Sequence, residues 1–187
     1  MPPTTTKSTA EVAVDVGVLY AAPIGTAEPA SATAVLDTAW REIGYTEDGS
    51  VFSTTVDAQD IEVEELLDPV RTVNVKRKSK LSFMMAQSTA RNLQLALNQG
   101  AAGTAAAGQT LAPVAGSAEV RVMLLWETAA TGASQSRLLA RQAYNVGGLE
   151  IALKQAPDKH TIPVEFSLEK PTAAASFTFF TNATGVF

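Results

Sequence analysis

The chain is predicted to be mainly β, a β-sandwich or barrel with one flanking α-helix. Short segments in which apolar and polar residues alternate recur at roughly ten-residue intervals, as is typical of sandwiches and barrels. Only one segment, at about residues 88–98, has the spacing of a well-defined amphipathic helix. A chain of 187 residues is long enough to form an independent core, so we expect a single domain over residues 11–187.

The composition argues against several classes of function. The sequence has no cysteine and a single histidine, His160, so neither thiolate chemistry nor a metal centre of the usual His and Cys type is expected. The net charge of −5 argues against a protein that grips nucleic acid, because phosphate contacts need a surplus of Lys and Arg. No apolar run approaches the ~20 residues of a membrane-spanning helix, and no signal peptide is expected at the N-terminus. We therefore predict no catalytic residues, no cofactor and no bound metal.

The first elements follow from local patterns. Residues 1–10 are polar and are predicted to form a disordered N-terminal arm. Alternating valines predict a strand over residues 12–19. Apolar residues at helical spacing predict a short helix over residues 36–43, and a turn at Glu47–Gly49 leads into a strand over residues 51–56.

A segment divided by charge is predicted to form a long hairpin, at about residues 57–84. Six acids and no base occur from Asp57 to Asp68, and five bases and no acid occur from Arg71 to Lys80. Both halves alternate as strands do, although the alternation breaks near residues 65–67, where a bulge or bend is expected. Oppositely charged strands can pair within one chain or between copies. The segment therefore indicates an assembly element and not a catalytic one.

The rest of the chain is predicted to contain one helix, one low-complexity tract and several strands. The helix at about residues 88–98 has Ser88 as its N-cap and Gly100 near its C-terminal end. Residues 99–117 are rich in Ala, Gly and Thr and are predicted to form a mobile loop. A Gly147–Gly148 turn is predicted to join two strands into a hairpin. The predicted strands of this part are residues 120–126, 138–146, 149–153, 162–168 and 176–181.

Two charged features admit a chemical and an ordinary interpretation. Glu62 and Glu64 could form a carboxylate pair for acid–base chemistry, but a solvated strand face is the more common role of such residues. The bases from Arg71 to Lys80 could form a nucleic-acid patch, but no aromatic residue is interleaved for base stacking. Charge complementarity between protein segments explains both features better.

Two blocks of the sequence contain short motifs in a characteristic order. In the first block, Gly17–Thr26 gives a strand ending in a Pro-x-Gly-Thr loop, and Trp40–Gly49 ends in a Gly-Tyr-x-x-Asp-Gly turn. In the second block, an acidic strand, Pro69–Arg71 and a basic strand precede a helix at Thr89–Leu97. In this order and spacing, the motifs resemble the major tail proteins of long-tailed, siphovirus-like bacteriophages, especially those of actinobacteria. The resemblance covers most of residues 12–98, and beyond these only the strand content is compatible.

The resemblance implies a structural subunit of a tail tube. Such subunits have a β-sandwich flanked by a helix, and they assemble into hexameric rings that stack into a conduit for the genome. Hairpins from all copies join into one continuous barrel, which leaves no exposed strand edges. The implied location is the tail of the virion, with assembly in the host cytoplasm. The alternative is another virion or surface β-sandwich, such as a head decoration protein or a carbohydrate-binding module.

The resemblance also implies partners and residue roles. The partners are further copies of the chain and the tape-measure, tail-tip and tail-terminator proteins. DNA passes through the tube without specific binding, and no membrane insertion is expected. Glu62 and Glu64 are candidates for the wall of the lumen. The candidate subunit contacts are four bases, Arg71, Lys76, Lys78 and Lys80.

Overall fold

The computed structural model describes residues 17–62, 64, 68–99, 119–128, 135–151, 155 and 158–182, and every structural statement below refers to these residues. The predicted N-terminal arm, the strand residues before Gly17 and residues 100–117 of the predicted loop lie outside them.

The described residues form eight strands and one helix. In chain order these are β1 (Gly17–Pro23), β2 (Arg41–Glu42), β3 (Thr46–Ile61), β4 (Arg71–Met85), α1 (Ala90–Ala96), β5 (Val122–Thr128), β6 (Ser136–Asn145), β7 (Ile162–Leu168) and β8 (Phe177–Thr181). All strand pairs are antiparallel, in the order β2-β1-β5-β6-β7-β4-β3. β6 also pairs with β8 through its first half and with β7 through its last three residues. The predicted class, mainly β with one helix, is confirmed.

The core lies on both faces of β5 and β6. Successive side chains of a strand point to opposite faces, so Leu124 enters the larger of two clusters while Met123 and Leu125 enter the smaller. The larger cluster also takes buried residues from β1, β4, β7 and α1. Because both faces are covered, Val122–Leu125 is buried without interruption, and the alternation expected of a half-exposed strand is lost.

The loop between β1 and β2 covers the smaller cluster and is fixed by polar contacts. The indole Nε1 of Trp40 donates to the carbonyl of Ala27 at 3.0 Å. The Arg137 guanidinium, which is almost fully buried, pairs with Glu127 at 2.9 Å and donates to the carbonyls of Ser31 and Ala34. These contacts satisfy a charge that would otherwise be costly to bury.

The prediction of a short helix over residues 36–43 is wrong. The segment forms turns that lead into β2, and the Asp37 carboxylate accepts a hydrogen bond from the backbone N–H of Ala39 at 2.8 Å. Such local bonds compete with helix formation. Trp40 packs in the smaller cluster and Ile43 in the larger one, so the two side chains do not share one helix face.

Helix α1 is shorter than the segment predicted at 88–98. Its N-cap is Thr89, whose hydroxyl accepts from the backbone N–H of Asn92 at 3.2 Å, so the prediction of Ser88 is wrong by one residue. Just beyond its C-terminal end, the chain turns at Asn98, which has a φ of 53°. Leu95 and Ala96 pack in the larger cluster, which places the helix against the sheet.

The return strand predicted after Gly147–Gly148 is absent from residues 149–151, and the rest of its predicted range, residues 152 and 153, lies outside the described residues. The Asn145 side-chain oxygen accepts hydrogen bonds from the backbone N–H groups of Gly147 (3.1 Å) and Glu165 (3.0 Å). These bonds hold the turn against β7. Among the described strands, the partners of β6 are β5, β7 and β8.

Candidate assembly surface

The β3–β4 hairpin extends beyond the body of the protein. Its pairing runs from Thr46 opposite Met85 to Ile61 opposite Arg71. From Ser79 to Met85, β4 also pairs with β7, whereas Arg71–Lys78 has only β3 as a partner among the described strands. We call residues 55–61 and 71–78 the distal ribbon. At ~3.3 Å per residue, its eight β4 residues project by roughly 25 Å.

The distal ribbon is exposed on both faces. All of its residues on both strands are exposed to solvent. Four of them have large apolar side chains with exposed fractions between 37% and 60%, namely Val56, Ile61, Val73 and Val75. A two-stranded hairpin alone is marginally stable in water, and exposed apolar side chains on unpaired strands are typical of docking surfaces.

The two faces of the hairpin differ in charge. One face continues the core, because Phe52 lies opposite Leu81, and the hydroxyls of Thr54 and Ser79 are 3.0 Å apart. The opposite face, which we call the basic face, carries all four of the bases predicted as subunit contacts. They are Arg71, Lys76, Lys78 and Lys80.

A bulge at Val75 brings the four bases together. Asp57 pairs with Lys76 and Ala58 with Asn74, so Val75 has no opposite residue. Strand alternation alone would put Arg71 and Lys76 on opposite faces, because their numbers differ in parity. The additional residue reverses the alternation, so Arg71 joins the three lysines. The sequence showed the common parity of the lysines but gave no sign of the bulge.

The four bases differ in their partners within the chain. Lys80 pairs with Glu165 of β7 at 2.5 Å, and the two side chains are 42% and 40% exposed. In the described part of the chain, Arg71, Lys76 and Lys78 form no ion pair, although Asp57 lies across the ribbon from Lys76. Three cations therefore remain available on the distal ribbon.

Glu62 and Glu64 lie at the tip of the hairpin. The strand prediction through Glu64 is wrong, since β3 ends at Ile61 and Glu64 is in a turn. Among the described residues, the backbone hydrogen bond nearest the tip is donated by Val70 N–H to the carbonyl of Ile61 at 2.9 Å. Pro69 has no N–H and cannot extend the ladder. Both glutamates are exposed, as is Asp68, so the tip is acidic while the basic face beside it is cationic.

Three groups in the described part of the protein have shifted pKa values, and one of them is Arg121, whose pKa is raised by its hydrogen bond to Glu169 and by the charge of that carboxylate. Burial raises the pKa of the Tyr20 hydroxyl, and the carboxylates of Glu127 and Glu42 add to the effect. Burial lowers the pKa of Arg91, and the neighbouring cation of Arg41 lowers it further. Within the described ranges, no group of three or more His, Cys, Asp or Glu residues could hold a metal ion.

The described part of the chain has no helix that is long and apolar enough to cross a membrane. Comparison with protein families gives a match over residues 4–186 to the family described as phage tail tube protein. The matched range takes in every strand and the helix described above. No curated protein matches the chain.

Proposed function

This chain belongs to the phage tail tube protein family, and on that premise we propose that its copies assemble into hexameric rings, stacked as the conduit for the phage genome. As a member of this family, it is a structural, self-assembling component of the virion tail and not an enzyme. The ring number and the role in genome delivery are the parts that we propose.

The observation that carries the proposal is the distal ribbon. Among the described strands, β3 is the last in the pairing order, so no described strand pairs with its outer edge, and none pairs with the free edge of β4 from Arg71 to Lys78. If hairpins of neighbouring copies stand side by side, β3 of one copy can pair with β4 of the next. This contact would satisfy the unpaired N–H and C=O groups and close the ribbons into a barrel.

Charge supports the same arrangement. In the distal ribbon, the charged residues of β3 are Asp57 and Asp60, whereas all the charged residues of β4 are cations. Pairing between copies would set an acidic strand beside a basic one all around the ring. We propose Arg71, Lys76 and Lys78 as subunit contacts, with Lys80 in a lesser role because Glu165 already neutralises it.

We also propose that Glu62 and Glu64 face the lumen of the tube. Both carboxylates are exposed at the hairpin tip, beyond the last paired residue. Negative charge on the wall would repel DNA phosphates and let the genome pass without binding. Tape-measure, tail-tip and tail-terminator proteins are the further partners that this function requires. Assembly in the cytoplasm of an actinobacterial host belongs to the same proposal.

Negative-stain electron microscopy tests the function directly. Purified protein at high concentration, alone or with tail-tip proteins, is expected to form rings and tubes with six-fold symmetry in end-on views. A strict monomer in sedimentation, even with tail-tip proteins present, would contradict tube assembly. Rings with another symmetry would contradict only the hexamer.

A further inference from the structure

The first turn of α1 lies against the segment that follows β2. Asn92 is buried, and its side-chain Nδ2 donates to the carbonyls of Ile43 at 3.1 Å and Gln87 at 2.8 Å. Arg91 precedes Asn92 in α1, and Arg41 in β2 is two residues before Ile43. These contacts hold the two arginines near each other, and Arg41 is close enough to lower the pKa of Arg91.

The carboxylate next to Arg41 in sequence lies on the other face of the sheet. Arg41 is paired with Ala21, which packs in the larger cluster. Glu42 is paired with Tyr20, which packs against the smaller cluster. Directly opposite residues of a strand pair share a face, so Arg41 lies on the face that α1 covers and Glu42 on the reverse. Within the described ranges, neither Arg41 nor Arg91 forms an ion pair with Glu42 or with another carboxylate.

The Arg91 guanidinium is partly buried and lacks an acceptor. Arg91 lies one turn before Leu95, so its side chain is on the side of α1 that packs on the larger cluster. Its Nη2 atom is buried without a hydrogen-bond partner, and among the described residues it is the only buried side-chain nitrogen or oxygen in this condition. Burial lowers the pKa of Arg91, the charge of Arg41 adds to this effect, and no carboxylate of the described residues offsets it. A buried cationic donor without an acceptor is costly.

The other described arginines that are not exposed all have a carboxylate as a partner. Three such arginines donate from Nε to a carboxylate oxygen at 2.7 or 2.9 Å. The pairs are Arg121 with Glu169, Arg137 with Glu127 and Arg141 with Glu28. Arg91 is the exception among the described residues, because a second cation stands beside it where the others have an acid. The missing group at this position is therefore an anion with oxygen acceptors.

We propose that Arg41 and Arg91 together bind a small oxyanion, with inorganic phosphate as the ligand. Guanidinium groups are planar and carry several N–H donors, which match the oxygens of a phosphate. Arg41 is exposed and Arg91 is partly exposed, so the ligand enters from solvent. The bound anion supplies the acceptor that Nη2 lacks and offsets the repulsion between the two cations. It also bridges α1 and β2, and it therefore stabilises the folded subunit.

Urea denaturation of the dispersed subunit tests the site. Unfolding is measured at one pH and one ionic strength, with chloride, phosphate or acetate as the anion. For the wild type, added phosphate is expected to raise the ratio of folded to unfolded subunit along a saturable curve, about tenfold once phosphate reaches ~10 times its Kd. Arg91→Met removes the guanidinium and keeps an unbranched side chain. This variant is expected to lose the phosphate dependence, and in chloride it should be at least as stable as the wild type, because an unpaired charge is no longer buried.

The matched control is Arg121→Met, because Arg121 already has Glu169 as its partner. This variant is expected to keep the full phosphate-dependent rise, whatever its stability in chloride. Arg41→Met, at an exposed position, is a second variant at the site and is expected to reduce the rise. It tests the site even if Arg91→Met does not fold.

Several results would overturn the site. A rise that Arg91→Met and Arg41→Met retain in full would identify a general salt effect of phosphate, or an adventitious ion only. The absence of a saturable rise in the wild type, or a lower stability of Arg91→Met in chloride, would also overturn it. A saturable rise with acetate but not with phosphate would overturn phosphate as the ligand. Every measurement uses the dispersed subunit, so none of these outcomes bears on the proposed function.

Discussion

At the scale of single residues, Asn145 joins three parts of the fold. Its side chain is buried, donates to the carbonyl of Ala96 at the end of α1 (2.6 Å), and accepts from Gly147 and Glu165. Its backbone N–H and C=O exchange hydrogen bonds with the side chain of Asn98, both at 2.8 Å. One asparagine thus fixes the helix end, the turn after β6 and the start of β7 pairing. Nothing in its sequence context distinguishes it from an ordinary loop asparagine.

The substitution Asn145→Ala is expected to destabilise the free subunit strongly. Three backbone groups would lose a buried hydrogen-bond partner, which should lower the free energy of unfolding by about 3 kcal/mol at ~1 kcal/mol each. Urea denaturation of the dispersed subunit measures the change. Asn74→Ala, on the exposed distal ribbon, is the control and should change this free energy by no more than about 0.5 kcal/mol. Similar effects of both substitutions would contradict the assigned role of Asn145.

At the scale of elements, β4 has two different environments along one strand. From Ser79 to Met85 it lies between β3 and β7, and every second residue is buried. From Arg71 to Lys78 it pairs with β3 alone among the described strands and has no buried residue, although the Arg77 guanidinium lies over the ring of Phe177 in β8. The alternation in sequence is similar in both parts, so the difference comes from what lies beside and above the strand. The exposed part has few tertiary contacts to hold it closed in the free subunit.

Hydrogen exchange is expected to separate the two parts of β4. In the dispersed subunit, amides of the distal ribbon should exchange much faster than those of Ser79–Met85 and β7, because opening the ribbon exposes little buried surface. After assembly, the ribbon amides should become protected by the neighbouring copy. A distal ribbon as protected as β7 before assembly, or unchanged after it, would be inconsistent with an assembly role.

At the scale of the whole molecule, charge is arranged with a direction. Along the basic face, the carboxylates of Glu47, Asp48 and Glu165 lie at one end, three cations lie on the distal ribbon, and the acidic tip lies beyond them. A net charge of −5 alone would keep copies apart. Local complementarity between different surfaces can overcome this repulsion, and it favours head-to-tail contacts over symmetric pairs.

Reversal of the ribbon charges is expected to block assembly without unfolding the subunit. Lys76→Glu with Lys78→Glu changes only exposed side chains, so stability should stay within about 1 kcal/mol while rings and tubes disappear from micrographs. Adding Lys80→Glu should block assembly too, but it also sets a second carboxylate beside Glu165.

The control for the charge reversal is Arg41→Glu with Lys170→Glu, which changes net charge equally at exposed positions that are not on the basic face. This variant is expected to assemble. If the variant with Lys76→Glu and Lys78→Glu polymerises like the wild type, these bases only form a solvated face of the hairpin. A block by the control variant alone would point to net charge or to another surface.

The sequence by itself determined the mainly β class, the single well-formed helix and the strands at β5, β7 and β8, because each follows from a local period of hydrophobicity. The resemblance of residues 12–98 pointed to tail tube proteins, and the family match confirms it. The segregation of charge also located the candidate assembly surface. The single domain over residues 11–187 and the individual roles of Glu62, Glu64 and the four bases stay predictions.

The tertiary structure alone decided which segments lie together. Residues 36–43 have helical spacing, yet Trp40 and Ile43 enter different clusters. The bulge at Val75 moves Arg71 to the face of the lysines, and a register shift of one residue leaves no clear mark in hydrophobic alternation. A groove of ≈ 330 Å³ beside Asp48 is lined by residues of β3, β4, β7 and the turn after β6. The local period of hydrophobicity indicates which face a segment can bury. The partner of a strand, its register and the lining of a groove depend instead on contacts between residues that are distant in the chain.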